Sequence, residues 1–177
     1  MKTFAVLSNR KEFENPKHLR KSEKRLAKLQ KDLSRKVKGS KNRAKARLKV
    51  ASLHEKISNQ RFDFLHKKSF EVVHDNQVIV LEDLKVKNMV KNHKLAKAIT
   101  EVSWRMFRTM IEYKAEWYGR DIVIAPSNYA SSQLCSNCGN KSNQTKDLSC
   151  RTYVCQECGL EIDRDYNASL NLLKLAM

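Results

Sequence analysis

The chain has few residues that bend or free a backbone: 4 Gly and 2 Pro among 177. No Gly-rich or Pro-rich linker is visible, and no Gly-rich loop of the kind that cradles a nucleotide phosphate, so few hinges are expected. No run of about 18 apolar residues occurs, so no segment is expected to span a membrane. There is no internal repeat and no visible secretory leader, and a cytoplasmic location is expected. Acidic residues are also scarce. Asp and Glu number 19 against 36 Lys and Arg, giving a formal net charge of +17 and a pI of about 9.8. That balance points to a polyanionic partner, most directly nucleic acid. The hydrophobic share of 41% suffices for the core of one domain, or of one domain with a small insert.

The positive charge is concentrated. Residues 10–68 hold 21 Lys or Arg against 6 Asp or Glu. They follow a short expected strand, Thr3 to Leu7, and a break at Asn15-Pro16. From about Lys17 to Val37 the pattern is helical, with Leu26, Leu29, Leu33 and Val37 as one apolar stripe. Gly39-Ser40 ends that helix. A second helix is expected over about 41–73, with Val50, Leu53, Ile57 and Phe64 as its stripe. Two helices joined by a short turn make an antiparallel hairpin, and the stripes are read as packing between them. The outer faces carry the candidate phosphate-binding residues Lys24, Arg25, Lys28, Arg35, Arg43 and Arg47, whose effect would be steeply salt-dependent. The plainer alternative is a solvated helical face with no partner.

Val78 to Leu81 is a run of branched apolar residues, expected as a strand buried on both faces. It ends in Glu82-Asp83, at the strand edge where sites form in open α/β sheets. Residues 85–93 read as a polar loop. One helix is expected over 94–118, with Leu95, Ile99, Val102, Met106, Met110, Tyr113 and Trp117 as core positions and Gly119 closing it. Asp121 to Ala125 is another strand, stopped by Pro126. Ala168 to Leu175 is a short final helix. If that helix packs near the strand ending in Glu82, Glu82 and Asp165 could share a hard divalent cation such as Mg²⁺ or Mn²⁺. Alternatively Asp163 or Asp165 is only a helix N-cap. No sequence rule links positions 82 and 165, and both readings stand.

Cys135-Ser136-Asn137-Cys138-Gly139 and Cys155-Gln156-Glu157-Cys158-Gly159 are the most specific signal. Four thiolates at this spacing, Cys135, Cys138, Cys155 and Cys158, can close a tetrahedral shell around one Zn²⁺. Two disulfides are the alternative, disfavoured in a cytosolic chain. The module over about 130–160 has few apolar residues and is expected to depend on zinc for its fold. Cys150 lies outside both pairs and is not expected to be a ligand.

These residues also carry a resemblance. Phe4 to Asn9, Glu14-Asn15-Pro16, Val80 to Leu84, Tyr113 to Glu116, Ser131 to Gly139, Cys155 to Gly159 and Asp163 to Ala168 occur in the order seen in the TnpB/OrfB family of bacterial insertion sequences. The basic helical hairpin matches as well. The resemblance implies an RNA-guided DNA endonuclease related to the single-effector CRISPR nucleases, with DNA and guide RNA as partners, a nucleoid-associated location and a link to transposition. It implies an α/β fold: an RNase H-like (RuvC-like) domain over 1–126 that includes the basic hairpin at about 17–75, a zinc ribbon at 127–160, and a final RuvC-like segment at 161–177. Glu82 and Asp165 would be its second and third catalytic carboxylates, served by Mg²⁺ or Mn²⁺. The family's first catalytic Asp lies in an Asp-Leu-Gly strand just before the equivalent of Lys2-Thr3-Phe4, where this chain has Met1. The expectation is therefore an N-terminally truncated, cleavage-deficient protein. Alternatives are a non-catalytic nucleic-acid-binding regulator, a fragment completed by an N-terminal piece in trans, or a decayed remnant.

Overall fold

The computed structural model describes residues 2–91, 93–147 and 149–176. Strands β1 (Thr3–Val6) and β2 (Glu12–Glu14) form an antiparallel hairpin whose tight turn places Arg10 at φ 67°. The sequence reading gave β1 but not β2, whose Glu-Phe-Glu has a single inward residue, Phe13, 2% exposed.

Helix α1 (His18–Ser34) and helix α2 (Lys41–Asp75) make the expected hairpin. Leu26, Leu53 and Ile57 are buried in its seam, flanked by Leu19, Leu29 and Val50. Helix α2 is 35 residues long, about 52 Å at 1.5 Å per residue. Its first half pairs with α1. Its second half buries Leu65, Val72 and Val73 in the main core. Helix α1 stops three residues short of the expected Val37, which is exposed in the turn. The turn closes instead on polar groups. The Ser40 hydroxyl accepts from the Arg43 amide at 3.1 Å, and the Arg43 guanidinium donates to the carbonyls of Leu33 (3.1 Å) and Lys36 (3.0 Å). Those are end carbonyls of α1 and its turn, which a helix cannot satisfy by itself.

Strand β3 (Val78–Leu81) pairs in parallel with β4 (Asp121–Ile124), Ile79 opposite Ile122 and Leu81 opposite Ile124. A helical crossover joins them. It comprises α3 (Val86–Met89), α4 (His93–Val102) and α5 (Trp104–Tyr118). Two expectations are corrected here. The 85–93 stretch contains a turn of helix, and the single helix over 94–118 is two. Ser103 breaks it in the left-handed region, φ 59°, a conformation that costs a non-glycine residue about 1–2 kcal/mol. The break lets the Trp104 indole N–H reach the Phe4 carbonyl at 3.0 Å, tying α5 to β1. Leu95 of the expected stripe lies outside the described side chains. β3 is not buried on both faces either. Val78 is 40% exposed while Ile79 is 5%, since successive side chains point to opposite faces and Ile79 is the one that enters the main core.

The main core gathers Phe4, Phe13, Leu65, Val73, Ile79 and Ile111 between the two strand pairs, α2 and α5. Phe4 makes edge-on contacts with Phe64 and Phe107 at 5.1 and 4.9 Å. Beyond Pro126 the chain enters the cysteine module, whose antiparallel pair is β5 (Thr152–Val154) and β6 (Glu161–Asp163). Helix α6 (Arg164–Leu173) follows β6 directly and packs against β1 and β3. No helix among the described residues is long and apolar enough to cross a membrane.

Candidate zinc centre, carboxylates and basic arm

The four cysteines of the two Cys-x-x-Cys turns converge. Their sulfurs all lie within 4.8 Å of one another. Across the two turns, Cys135 Sγ and Cys158 Sγ are 3.6 Å apart, and Cys138 Sγ and Cys155 Sγ 3.5 Å. A tetrahedral zinc with bonds of about 2.3 Å sets its sulfurs about 3.8 Å apart, whereas a disulfide needs about 2.0 Å. All four are free thiols. The geometry fits a metal shell, not two disulfides.

Local backbone explains the convergence. Gly139 and Gly159 sit at φ 79° and 69°, and each amide closes its turn onto the carbonyl of Cys135 or Cys155. Amides aim at the sulfurs. The Leu160 amide, followed by the Asn137 side chain, brings the Cys158 thiol down to about 6. The amides of Cys158 and Glu157 lower Cys155 despite its desolvation. The Asn140 amide also favours the Cys138 thiolate, but burial and its three neighbouring cysteines push that thiol up to about 12. A dication among the four sulfurs would favour the thiolate form of each. Beneath them the apolar support is small: Tyr153, fully buried, with Leu160 and Ile162. Cys150 stands apart, its Sγ 3.1 Å from the Thr152 carbonyl, and is not one of the four.

Helix α6 holds this module from below by residues the sequence reading did not single out. Asn167, fully buried, accepts from the Ser136 amide at 2.9 Å and donates to the Leu134 carbonyl at 2.6 Å. Asn171 donates to the carbonyls of Ser131 and Leu134 at 2.8 and 2.7 Å. Lys174 donates to the Ser136 carbonyl at 2.7 Å. Arg164, 9% exposed, reaches the Cys150 carbonyl at 3.3 Å. These side chains fall at i, i+3, i+7 and i+10, one face of a helix. That polar spacing was the readable signal.

Asp163 is the N-cap of α6, accepting from the amides of Asp165 and Tyr166, both at 2.9 Å. Asp165 is thereby free of capping. Its carboxylate meets Arg164 at 3.2 Å and Arg151 at 3.6 Å. Glu82 stands just past β3, and its Oε1 accepts from the Ser131 hydroxyl at 2.8 Å. It lines an open cleft of about 600 Å³ with Asp83, Trp104, Arg105 and Arg108. Asp83 is paired with Arg108 at 2.9 Å. Packing of α6 on β3 puts Glu82 and Asp165 on adjoining elements, as the sequence reading required. Among the described residues, however, the four cysteines are the one group of three or more acidic, His or Cys side chains close enough to hold an ion. The carboxylates present are not a complete set for Mg²⁺ or Mn²⁺.

On the arm, Lys24, Arg25, Lys28, Arg35 and Arg47 are exposed. Lys24, Lys28 and Arg35 share one side of α1 with Lys21 and Lys31, opposite the Leu19, Leu26 and Leu29 seam. No salt bridge among the described residues engages any of these five. Arg43 differs, since it is spent on the turn.

Comparison with known proteins agrees. The family model described as "Probable transposase", OrfB of IS605 type, matches residues 1–93. One described as "Cas12f1-like, TNB domain" matches 104–172. A Streptomyces pristinaespiralis protein named "Putative RNA-guided DNA endonuclease" is 47% identical over 171 residues, 97% of this chain and 42% of that protein. "Putative RNA-guided DNA endonuclease InsQ" of Escherichia coli K12 is 36% identical, over 96% of this chain and 46% of its own. A chain in the cryo-EM structure of a Cas12f1–sgRNA–target DNA complex superposes with a TM-score of 0.64 at 18% identity, covering 94% of this chain and 44% of that one. The chain thus spans under half the length of these relatives. On these matches the chain belongs to the TnpB/OrfB family of transposon-associated proteins, whose relatives here are named as putative RNA-guided DNA endonucleases.

Proposed function

We propose that this chain grips nucleic acid with its helical arm and sets Glu82 and Asp165 beside the bound strand, within an RNase H-like (RuvC-like) nuclease domain interrupted by a structural zinc ribbon. The basic face of α1 carries the reading. Between residues 24 and 49 the arm has 12 Lys and Arg and a single acid, Asp32. A row of unpaired cations opposite an apolar seam matches a phosphate backbone better than it matches a protein surface. The names of the relatives and the contents of the Cas12f1 complex support guide RNA and target DNA as its partners. The parallel β3–β4 pair with its helical crossover, and α6 packed beside it, support the RNase H-like assignment.

Among the described residues no group of three or more potential ligands includes Glu82 or Asp165, and this favours a specific form of the reading: the 177 residues bind without cutting. They would act as a non-catalytic regulator, or as a piece whose site is completed by a segment supplied in trans. Mg²⁺ or Mn²⁺ would be the ion for Glu82 and Asp165 once a third acid joins them. Salt-dependent binding tests the grip. Replacing Lys24, Lys28 and Arg35 together by Gln is expected to flatten the plot of log affinity against log salt by about 2, at roughly 0.7–0.9 per phosphate contact. An unchanged slope would place the binding elsewhere.

A further inference from the structure

Glu82 lies at a strand exit, is exposed, and faces an open cleft. A glutamate so placed has three rotatable bonds and would sample many positions. Here one of its oxygens is fixed by a hydroxyl that is itself deeply buried, Ser131 at 6% exposure. Ser131 belongs to the loop that enters the first cysteine turn. Its carbonyl accepts from Asn171, and the same Asn171 amide group donates to Leu134, the residue before Cys135. Tyr129 closes the arrangement from the other side, its hydroxyl donating to the Asn171 carbonyl at 2.9 Å. The chain of contacts runs from the zinc turn through Asn171 to Ser131 and ends on the Glu82 carboxylate.

We infer that Ser131 is a positioning residue for Glu82, and that the zinc-bound turn sets the place from which it does so. Hydrogen bonds that orient an acidic group toward its task act in this way around many metal and catalytic carboxylates. On this account the ribbon is more than a clamp for nucleic acid, because its base is part of the carboxylate site. The inference rests on reading Glu82 as the family's cleavage carboxylate. Its test reads orientation, not chemistry, so the two can fail separately.

The experiment is carbon-detected NMR of the side-chain carboxyl of Glu82 in the zinc-loaded full chain, assigned with Glu82→Gln. Ser131→Ala is expected to move and broaden that signal. Ser131→Thr, which keeps the hydroxyl, is expected to restore it, with zinc content at one equivalent in both. Stripping zinc from the unsubstituted chain is expected to reproduce the Ser131→Ala signal. A Glu82 carboxyl signal unmoved by Ser131→Ala, or moved equally by Ser131→Thr, overturns the positioning role. A signal unmoved by zinc removal overturns the coupling to the turn.

Discussion

Asn167 shows how far a single residue can decide this structure. Its amide pairs with both sides of the Leu134–Ser136 segment and is sealed from water. Truncation would bury an unpaired Ser136 N–H. Asn167→Ala is therefore expected to cost about 2–3 kcal/mol, since an orphaned buried polar group loses its hydration without compensation. Asn167→Asp, which sets a buried carboxylate against the Leu134 carbonyl, should cost at least as much. Urea unfolding of the zinc-loaded protein checks both, and a loss under about 0.5 kcal/mol would contradict the assigned role. This residue was poorly legible in sequence because a helical Asn reads as a solvated one. The four cysteines were legible because metal geometry imposes a spacing that little else imposes. Glu82 and Asp165 were nameable but not connectable, since the packing that brings α6 onto β3 leaves no local sequence trace. Arg43 was named for its charge, and the structure adds that it closes the hairpin turn, a task visible only once the end of α1 is known.

Among elements, the hairpin and the ribbon differ in what holds them. The hairpin has its own apolar seam and continues through α2 into the main core. Among the described residues the ribbon's hydrophobic cluster has three buried side chains, two of them cysteines. A metal ion on the four thiolates would supply what that core cannot. Removing it with a chelator is expected to unfold residues of about 130–163 while α1 and α2 stay helical. Amide signals of the ribbon should collapse to random-coil positions while far-UV helicity changes little. Zinc loading should also fall as pH drops, because each ligand must lose its proton to bind and protons compete for the same sulfurs. A ribbon that keeps its dispersed signals without metal would contradict this account. Helices α1 and α2 were legible from periodicity and β1, β3 and β4 as apolar runs, whereas α3 was read as loop. The break at Ser103 was not legible, because the apolar step from Ile99 to Met110 continues across it. It is the long-range bond from Trp104 to Phe4 that selects the strained turn. The β2 strand escaped notice because three residues are too short to show an alternation.

For the molecule as a whole, charge and shape divide the work. The arm concentrates cations on its outer face, and the cleft gathers Glu82, the Asp83–Arg108 pair and Trp104. The ribbon and α6 join the two carboxylate-bearing elements through a buried polar face. Family membership follows from the comparisons, and the four converging cysteines are the group that could hold a metal ion among the described residues; nucleic-acid binding is the proposed role of the arm. Catalysis does not follow. A hard divalent ion at a phosphodiester needs several carboxylate oxygens, and among the described residues no group of three or more potential ligands includes Glu82 or Asp165, which supports the proposed reading of binding without cutting. The most direct measurement incubates the purified, zinc-loaded chain with end-labelled single-stranded DNA and with supercoiled plasmid, in Mg²⁺ and in Mn²⁺, reading binding and cleavage in the same tubes. Salt-sensitive binding with intact DNA is the predicted result. Cleavage that disappears in Glu82→Ala or Asp165→Ala would contradict it and show that the site is complete.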